Sequence, residues 1–191
     1  GAMSDDQWSG MFLGDEAYAG SANFRRLRDT IAGLTGYEHV IPTHQGRGAE
    51  NVLLSTIGRK GQAVVGNTHF DTTRAHILRN RLRPVDLPVV EAGDASSDYP
   101  FKGNVDVEAL EAFLQRAGGA EGVAGIIVTV TNNAVGGQPV SLANLRAVRD
   151  VAVAHGVPVF LDGARFAENA WFIQQREPGC ETTSMRDIVR A

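Results

Sequence analysis

The 191 residues are 43% apolar and 21% charged, a balance that suits one domain or part of a larger one and excludes wholesale disorder. The net charge of -4 gives no footprint for nucleic acid or an anionic membrane; no run approaches the roughly 18 apolar residues of a membrane span, and no basic-then-apolar leader opens the chain, so a cytoplasmic protein is expected. The single cysteine, Cys180, excludes an internal disulfide and a multi-cysteine metal site, and of the 18 basic residues only Lys60 and Lys102 are lysines.

Gly1-Ala2 before Met3 reads as the scar of a cleaved tag. Residues 3–20 are punctuated by glycine and read as a short helix and a loop. Ser21 is placed to cap a helix over 22–34, with Phe24, Leu27, Ile31 and Leu34 on one face and Gly36 closing it. Residues 3–36 are therefore expected to form an N-terminal arm and first helix, and 37–191 the remaining domain. A short apolar run, His39-Val40-Ile41, enters the glycine turn Pro42-Thr43-His44-Gln45-Gly46-Arg47-Gly48-Ala49-Glu50 and leaves as a helix to about Ile57.

The next segments alternate. A buried strand is expected over 63–66, a loop over 67–73, a helix around 74–79 and an extended run over 84–90. A polar loop covers 91–103, and Asp106 opens a helix over 107–117. The β-branched run at 123–130 predicts a buried strand. Ser141 caps a helix through His155, residues 157–161 form the next strand, and helices follow to about Gln175 and over 183–191. Alternating strands and helices predict an α/β fold, a mostly parallel sheet flanked by helices.

In such sheets ligands sit beyond the carboxyl ends of the strands, where Gln45-Gly46-Arg47, Phe70-Asp71, Asn132-Asn133 and Asp162-Ala164-Arg165 fall. Two readings stay open at each position on the residues alone. The glycine turn holds a phosphate on the free N–H groups of its helix, or is only a turn. Phe70 stacks on a flat ring, or packs in the core. Asn133 bonds a ring oxygen, or serves the turn before Gly136-Gly137. Asp162 pairs with a protonated ring nitrogen, or caps a helix or pairs with Arg165. Tyr18 is a general acid, or an amphipathic packing residue. His44, His69 and His76 form no helical metal pair.

Gly14-Asp15-Glu16-Ala17-Tyr18-Ala19-Gly20-Ser21, Pro42 through Glu50, Phe70-Asp71-Thr72-Thr73, Gly136-Gly137-Gln138-Pro139-Val140-Ser141 and Asp162 through Ala170 together resemble the β-eliminating lyases that depend on pyridoxal 5'-phosphate (PLP), the family of tryptophanase and tyrosine phenol-lyase. The resemblance implies part of the large domain of a fold type I PLP enzyme, and a lyase cleaving the Cβ bond of an aromatic or related L-amino acid. It implies that Gln45 and Gly46 bind the cofactor phosphate, that Phe70 stacks on its ring and that Asn133 contacts the ring hydroxyl. It implies that Asp162 keeps the pyridine nitrogen protonated with Arg165 beside it, and that Arg47 and Glu50 line the pocket. Tyr18 matches the leaving-group acid of a neighbouring subunit, Glu16 a ligand of a monovalent cation such as K+, and Asp71 the tryptophanase form of its motif.

The resemblance also implies what this chain lacks. The family's Schiff-base lysine follows the Asp162-type residue, and neither Lys60 nor Lys102 matches it. A second polypeptide carrying that lysine and the C-terminal domain is therefore expected, in a homo- or hetero-oligomer. A truncated or proteolysed chain and a non-catalytic, partner-binding remnant are the alternatives.

Overall fold

The computed structural model describes residues 2–15 and 20–191. They form two compact units, Gly1–Pro42 with Arg190, and Thr43–Val189 with Ala191. The first unit holds α1 (Asp5–Phe12) and α2 (Ala22–Thr35). A reciprocal pair of bonds between Ser4 and Gln7 closes the start of α1. Ser21 caps α2 as expected, and Asp15 adds a second cap: its carboxylate accepts from Ser21 Oγ at 2.8 Å, Ala22 N–H at 2.5 Å and Asn23 N–H at 3.2 Å. Those bonds, the one from Ala22 first, hold the Asp15 pKa down at about 2. Gly36 ends α2 at φ 80°, a left-handed turn that favours glycine. The run His39-Val40-Ile41 forms no strand, and Ile41 is 84% exposed.

The second unit is a four-stranded, wholly parallel sheet in the order β2-β1-β3-β4, made of β1 (Ala63–Gly66), β2 (Arg83–Asp86), β3 (Val123–Thr129) and β4 (Val159–Asp162). Its helices are α3 (Gly46–Ile57), α4 (Asp71–Arg79), α5 (Val107–Ala117), α6 (Leu142–Ala154), α7 (Phe166–Arg176) and α8 (Met185–Arg190). A parallel sheet needs cover on both faces. On one face Val65, Ile126, Val128 and Val130 pack with Leu110 and Leu114 of α5 and Val148 and Ala152 of α6. On the other, Val64, Ala124 and Ile127 pack with Leu54 of α3 and Ile77 of α4. β3 is buried along its whole length; β4, at the sheet edge, alternates between exposed and half-buried residues.

Two elements depart from the bounds that the pattern predicts. Helix α4 begins at Asp71 rather than near Arg74, because the hydroxyls of Thr72 and Thr73 bond Glu50 at 3.2 and 2.6 Å and hold its first turn. Strand β2 ends at Asp86, and a short 3-10 turn over Val90–Gly93 replaces the end of the extended run. Among the described residues no helix is long and apolar enough to cross a membrane.

Candidate functional site

Register fixes where the strands end. Gly66, last in β1, stands opposite Asp86 of β2 and Ile127 of β3, and Thr129, last in β3, stands opposite Asp162 of β4. The loops leaving β1, β3 and β4 therefore emerge from one edge.

The helix N-termini fall into two groups. Side chains cap α1, α2, α5, α6 and α8. On α6 the closure is complete: Ser141 takes the Asn144 N–H, and Glu177 takes those of Leu142 and Ala143 at 2.7 and 2.8 Å. Helices α3, α4 and α7 have no side-chain cap, and they begin at Gln45-Gly46, Phe70-Asp71 and Arg165-Phe166. At α3 the Gln45 carbonyl takes the N–H groups of Gly48 and Ala49, which leaves the first amides of the helix for an outside anion. A Cβ on Gly46 would meet nothing within 4 Å, whereas one on Gly48 would strike the His44 ring at 2.9 Å. Gly46 leaves the approach open, and Gly48 makes room for His44.

Phe70 is 37% exposed, so its ring is available to a ligand and is not core. Asp162 does not cap α7, whose N-cap is Arg165; its half-buried carboxylate takes one long bond, from Ala164 N–H at 3.4 Å. Burial pushes its pKa up and the Glu50 charge adds to the rise, against the Ala164 bond and the Arg165 guanidinium. Among the described residues no ion pair engages this carboxylate. Glu50 spends Oε1 on Thr72 and Thr73 and keeps Oε2 buried without a hydrogen bond, with the His76 ring Nε2 at 4.0 Å. Asn133 and Arg165 line one cavity of about 330 Å³ with Thr131, Gly136, Gly137, Glu168 and Phe172.

Hydrogen bonds thus link Glu50 to the start of α4, the Glu50 charge acts on Asp162, and Asn133 and Arg165 line a common cavity. Gln45, Arg47 and Asp71 are exposed, and among the described residues no hydrogen bond or ion pair engages the side chains of Arg47 and Asp71. Tyr18 and Glu16 lie outside the described residues. Lys60 sits in a turn just before β1, at the opposite edge of the sheet, and the Lys102 amine donates to the Asp94 carbonyl at 2.9 Å.

Sequence reasoning missed the roles of the residues that fasten this edge. Buried Asn67 bonds Gly103 and Thr129, Thr68 bonds Asn132, and His69 bonds Asp86, which Arg74 also pairs. Their partners lie 12 to 64 residues away, so no local pattern announces them. Burial lowers the His69 pKa against the opposing pull of Asp86, and its Nε2 is buried without a partner. Below the unfolded value near 6.5 the unfolded chain binds the proton first, so stability is full above about pH 6.5 and falls from there towards the lower folded value. Urea unfolding midpoints measured from pH 8 to pH 5 are expected to drop across that window, and the drop is expected to shrink in His69→Phe.

A beta-eliminating lyase family model matches residues 1–191. The chain is 53% identical over 188 residues to a tyrosine phenol-lyase of Clostridium tetani, covering 98% of this chain and 41% of that protein. It is 51% identical over 190 residues to a tryptophanase of Rhodobacter capsulatus, covering 100% of this chain and 41% of that one. The chain thus spans about 41% of the length of these relatives. Among solved structures, a PLP-bound C-S lyase from Staphylococcus hominis aligns with a TM-score of 0.57 at 13% identity, over 82% of this chain and 38% of that one. A complex of SepCysS with the SepCysE N-terminal domain aligns at 0.58 and 18% identity, over 80% and 39%. At these identities the two structures speak for the fold alone.

Proposed function

Because this chain belongs to the beta-eliminating lyase family, we propose that it supplies the PLP-binding and substrate-pocket half of a lyase that cleaves the Cβ bond of an aromatic or related L-amino acid. In this reading residues 37–191 are an incomplete cofactor-binding domain and 3–36 its N-terminal arm. The Schiff-base lysine and the rest of the family's length lie outside these 191 residues, and the completed site stands in an oligomer. The observation that carries the reading is the donor set at the carboxyl edge. An uncapped, glycine-opened helix suits a phosphate, and Asp162, a carboxylate with no ion pair among the described residues, suits a protonated pyridine nitrogen.

When bound, PLP supplies an electron sink for the negative charge left at the substrate Cα after its proton departs. The chain's own residues hold and shape the site. Gln45 and Gly46 would hold the phosphate at the start of α3, Phe70 would stack on the ring, Asn133 would contact the ring hydroxyl, and Arg165 would stand beside Asp162. Asp162 keeps a proton on the ring nitrogen, and its partial burial makes that ion pair stronger than it would be in water. Arg47, Glu50 and Asp71 line the substrate side. Tyr18 donates a proton to the leaving group at a neighbouring subunit's site, and Glu16 holds a monovalent cation such as K+.

Titration of the purified chain with PLP, followed by borohydride reduction and mass spectrometry, tests the reading. The expected result is reversible binding, competed by inorganic phosphate, with no pyridoxyl adduct on Lys60 or Lys102. Lyase activity is expected only after adding a polypeptide that carries the rest of the family's length. An adduct on either lysine would sink the placing of the Schiff-base lysine outside these residues, and no binding at millimolar PLP would sink the pocket.

A further inference from the structure

Three successive residues carry the chain from β1 to Phe70, and each is fastened to a different neighbour. Asn67 Nδ2 donates to the carbonyls of Gly103 and Thr129 at 2.8 and 3.0 Å, and its Oδ1 accepts the Thr129 N–H at 3.0 Å. His69 is held by Asp86 Oδ1 through its ring Nδ1 at 2.5 Å and its backbone N–H at 3.0 Å. Between them, the Thr68 hydroxyl donates to the Asn67 carbonyl at 2.7 Å and accepts from Asn132 Nδ2 at 3.2 Å. Of these side-chain bonds, that from Asn132 joins two loops that each bear a candidate site residue. One loop ends in Phe70, and the other runs on from Asn132 to Asn133.

Asn132 is an expensive residue for its place. It is 0% exposed, and its Oδ1 is buried with no hydrogen-bond partner. An aliphatic side chain of similar size would avoid that cost. The loop does not need the side chain for closure, because its backbone closes itself: Asn132 N–H donates to the Gln138 carbonyl at 2.8 Å and Gly137 N–H donates to the Asn132 carbonyl at 2.9 Å. What the side chain adds is the bond to Thr68.

We infer that Asn132 and Thr68 are positioning residues whose hydrogen bond sets the separation between the Phe70 ring and the Asn133 amide, and so the fit of a flat ring carrying an oxygen at its edge. The inference rests on the PLP reading for the identity of that ring, and on the hydrogen bonds alone for the coupling of the two loops. A polar pair kept at a site where an apolar pair would fold as well has its use in the geometry it imposes.

Thr68→Val removes the acceptor at constant shape, Thr68→Ser keeps it, and the double variant Thr68→Val with Asn132→Leu replaces both partners by apolar groups. In the free chain, amide hydrogen exchange at residues 132–137 is expected to speed up about 2–10-fold in Thr68→Val and to return towards wild type in Thr68→Ser, the range set by one ordinary hydrogen bond. The PLP dissociation constant is expected to rise by a similar factor, about 2–10-fold, in Thr68→Val and in the double variant, and to recover in Thr68→Ser. The urea midpoint of the double variant is expected to stay at or above the wild-type value, which separates positioning from a loss of fold. Unchanged exchange in Thr68→Val overturns the coupling whether or not PLP binds. Faster exchange with unchanged PLP affinity overturns the positioning role. A wild-type chain that binds no PLP overturns the cofactor reading, and the exchange measurement still decides whether the loops are coupled.

Discussion

Replacing Asn67 with leucine is expected to lower the free energy of unfolding by about 3–5 kcal/mol, the largest single loss foreseen for this chain. The side chain is 0% exposed and makes three bonds to backbone groups: two carbonyls and one N–H. Leucine fits the volume and keeps the apolar contacts, but it leaves those backbone groups without this partner and out of reach of water. Each such group costs about 1–3 kcal/mol when stranded, and some of that is recovered by relaxation. The bonds also tie the end of β1 to the end of β3 and to the loop at Gly103, so the damage falls at the sheet edge that carries the site. Urea unfolding followed by far-UV circular dichroism measures the loss. A fall below about 1 kcal/mol would show that water or a rearranged loop satisfies those groups, and that the clamp is dispensable.

Asp162→Asn is expected to act in the opposite sense on stability and strongly on the cofactor. Burial and the nearby Glu50 charge raise the carboxyl pKa in the free chain. The folded state therefore holds its proton more tightly than the unfolded state does. Stability is full below the unfolded value of 3.8 and is lost as pH rises through the higher folded value. Removing the charge gives part of that back, so at pH 7 the urea midpoint of Asp162→Asn is expected to match or exceed wild type. Its PLP affinity is expected to fall by about 2–5 kcal/mol, roughly 30-fold or more, because a protonated ring nitrogen loses its counter-ion in a partly desolvated place. Equilibrium dialysis against PLP gives the second number. An Asp162→Asn chain that binds PLP as tightly as wild type would remove this residue from the cofactor site.

The sequence shows some parts of this arrangement plainly and hides others, and the physical range of each interaction decides which. Ser21, Asp106 and Ser141 announce their helices because a cap acts within three residues of its own position. The run at 123–130 announces β3 because a strand covered on both faces is apolar at every position. Phe70, Asn133 and Asp162 could be assigned to the carboxyl edge because alternation of strands and helices fixes which loops share it, whereas the glycine turn follows no strand and its helix is tied to the start of α4 through the bonds of Glu50 with Thr72 and Thr73. Their open alternatives needed coordinates. Exposure of Phe70 removes it from the core, and the Arg165 N-cap removes Asp162 from the capping role. The run His39-Val40-Ile41 is apolar enough for an extended segment, yet a strand needs a paired neighbour, and the backbone pairings of the sheet do not include these residues. The clamp roles of Asn67, Thr68, Asp86 and Asn132 stayed hidden, even though the sequence sets Asn132 at a strand exit beside Asn133, because each is an ordinary polar residue until a distant segment folds against it.

The uncapped starts of α3, α4 and α7 carry a thermodynamic consequence. A side-chain cap is worth about 0.5–2 kcal/mol, so the free chain forgoes stability at three helix ends that its sequence could have secured. An anion held at α3 takes the place of a missing cap and returns that free energy only while it is bound. Linkage then makes the ligand a component of the fold, with an effect that grows as the logarithm of its concentration. If the proposed site holds, a chain of this design is at its weakest when empty and is expected to report occupancy through its melting temperature.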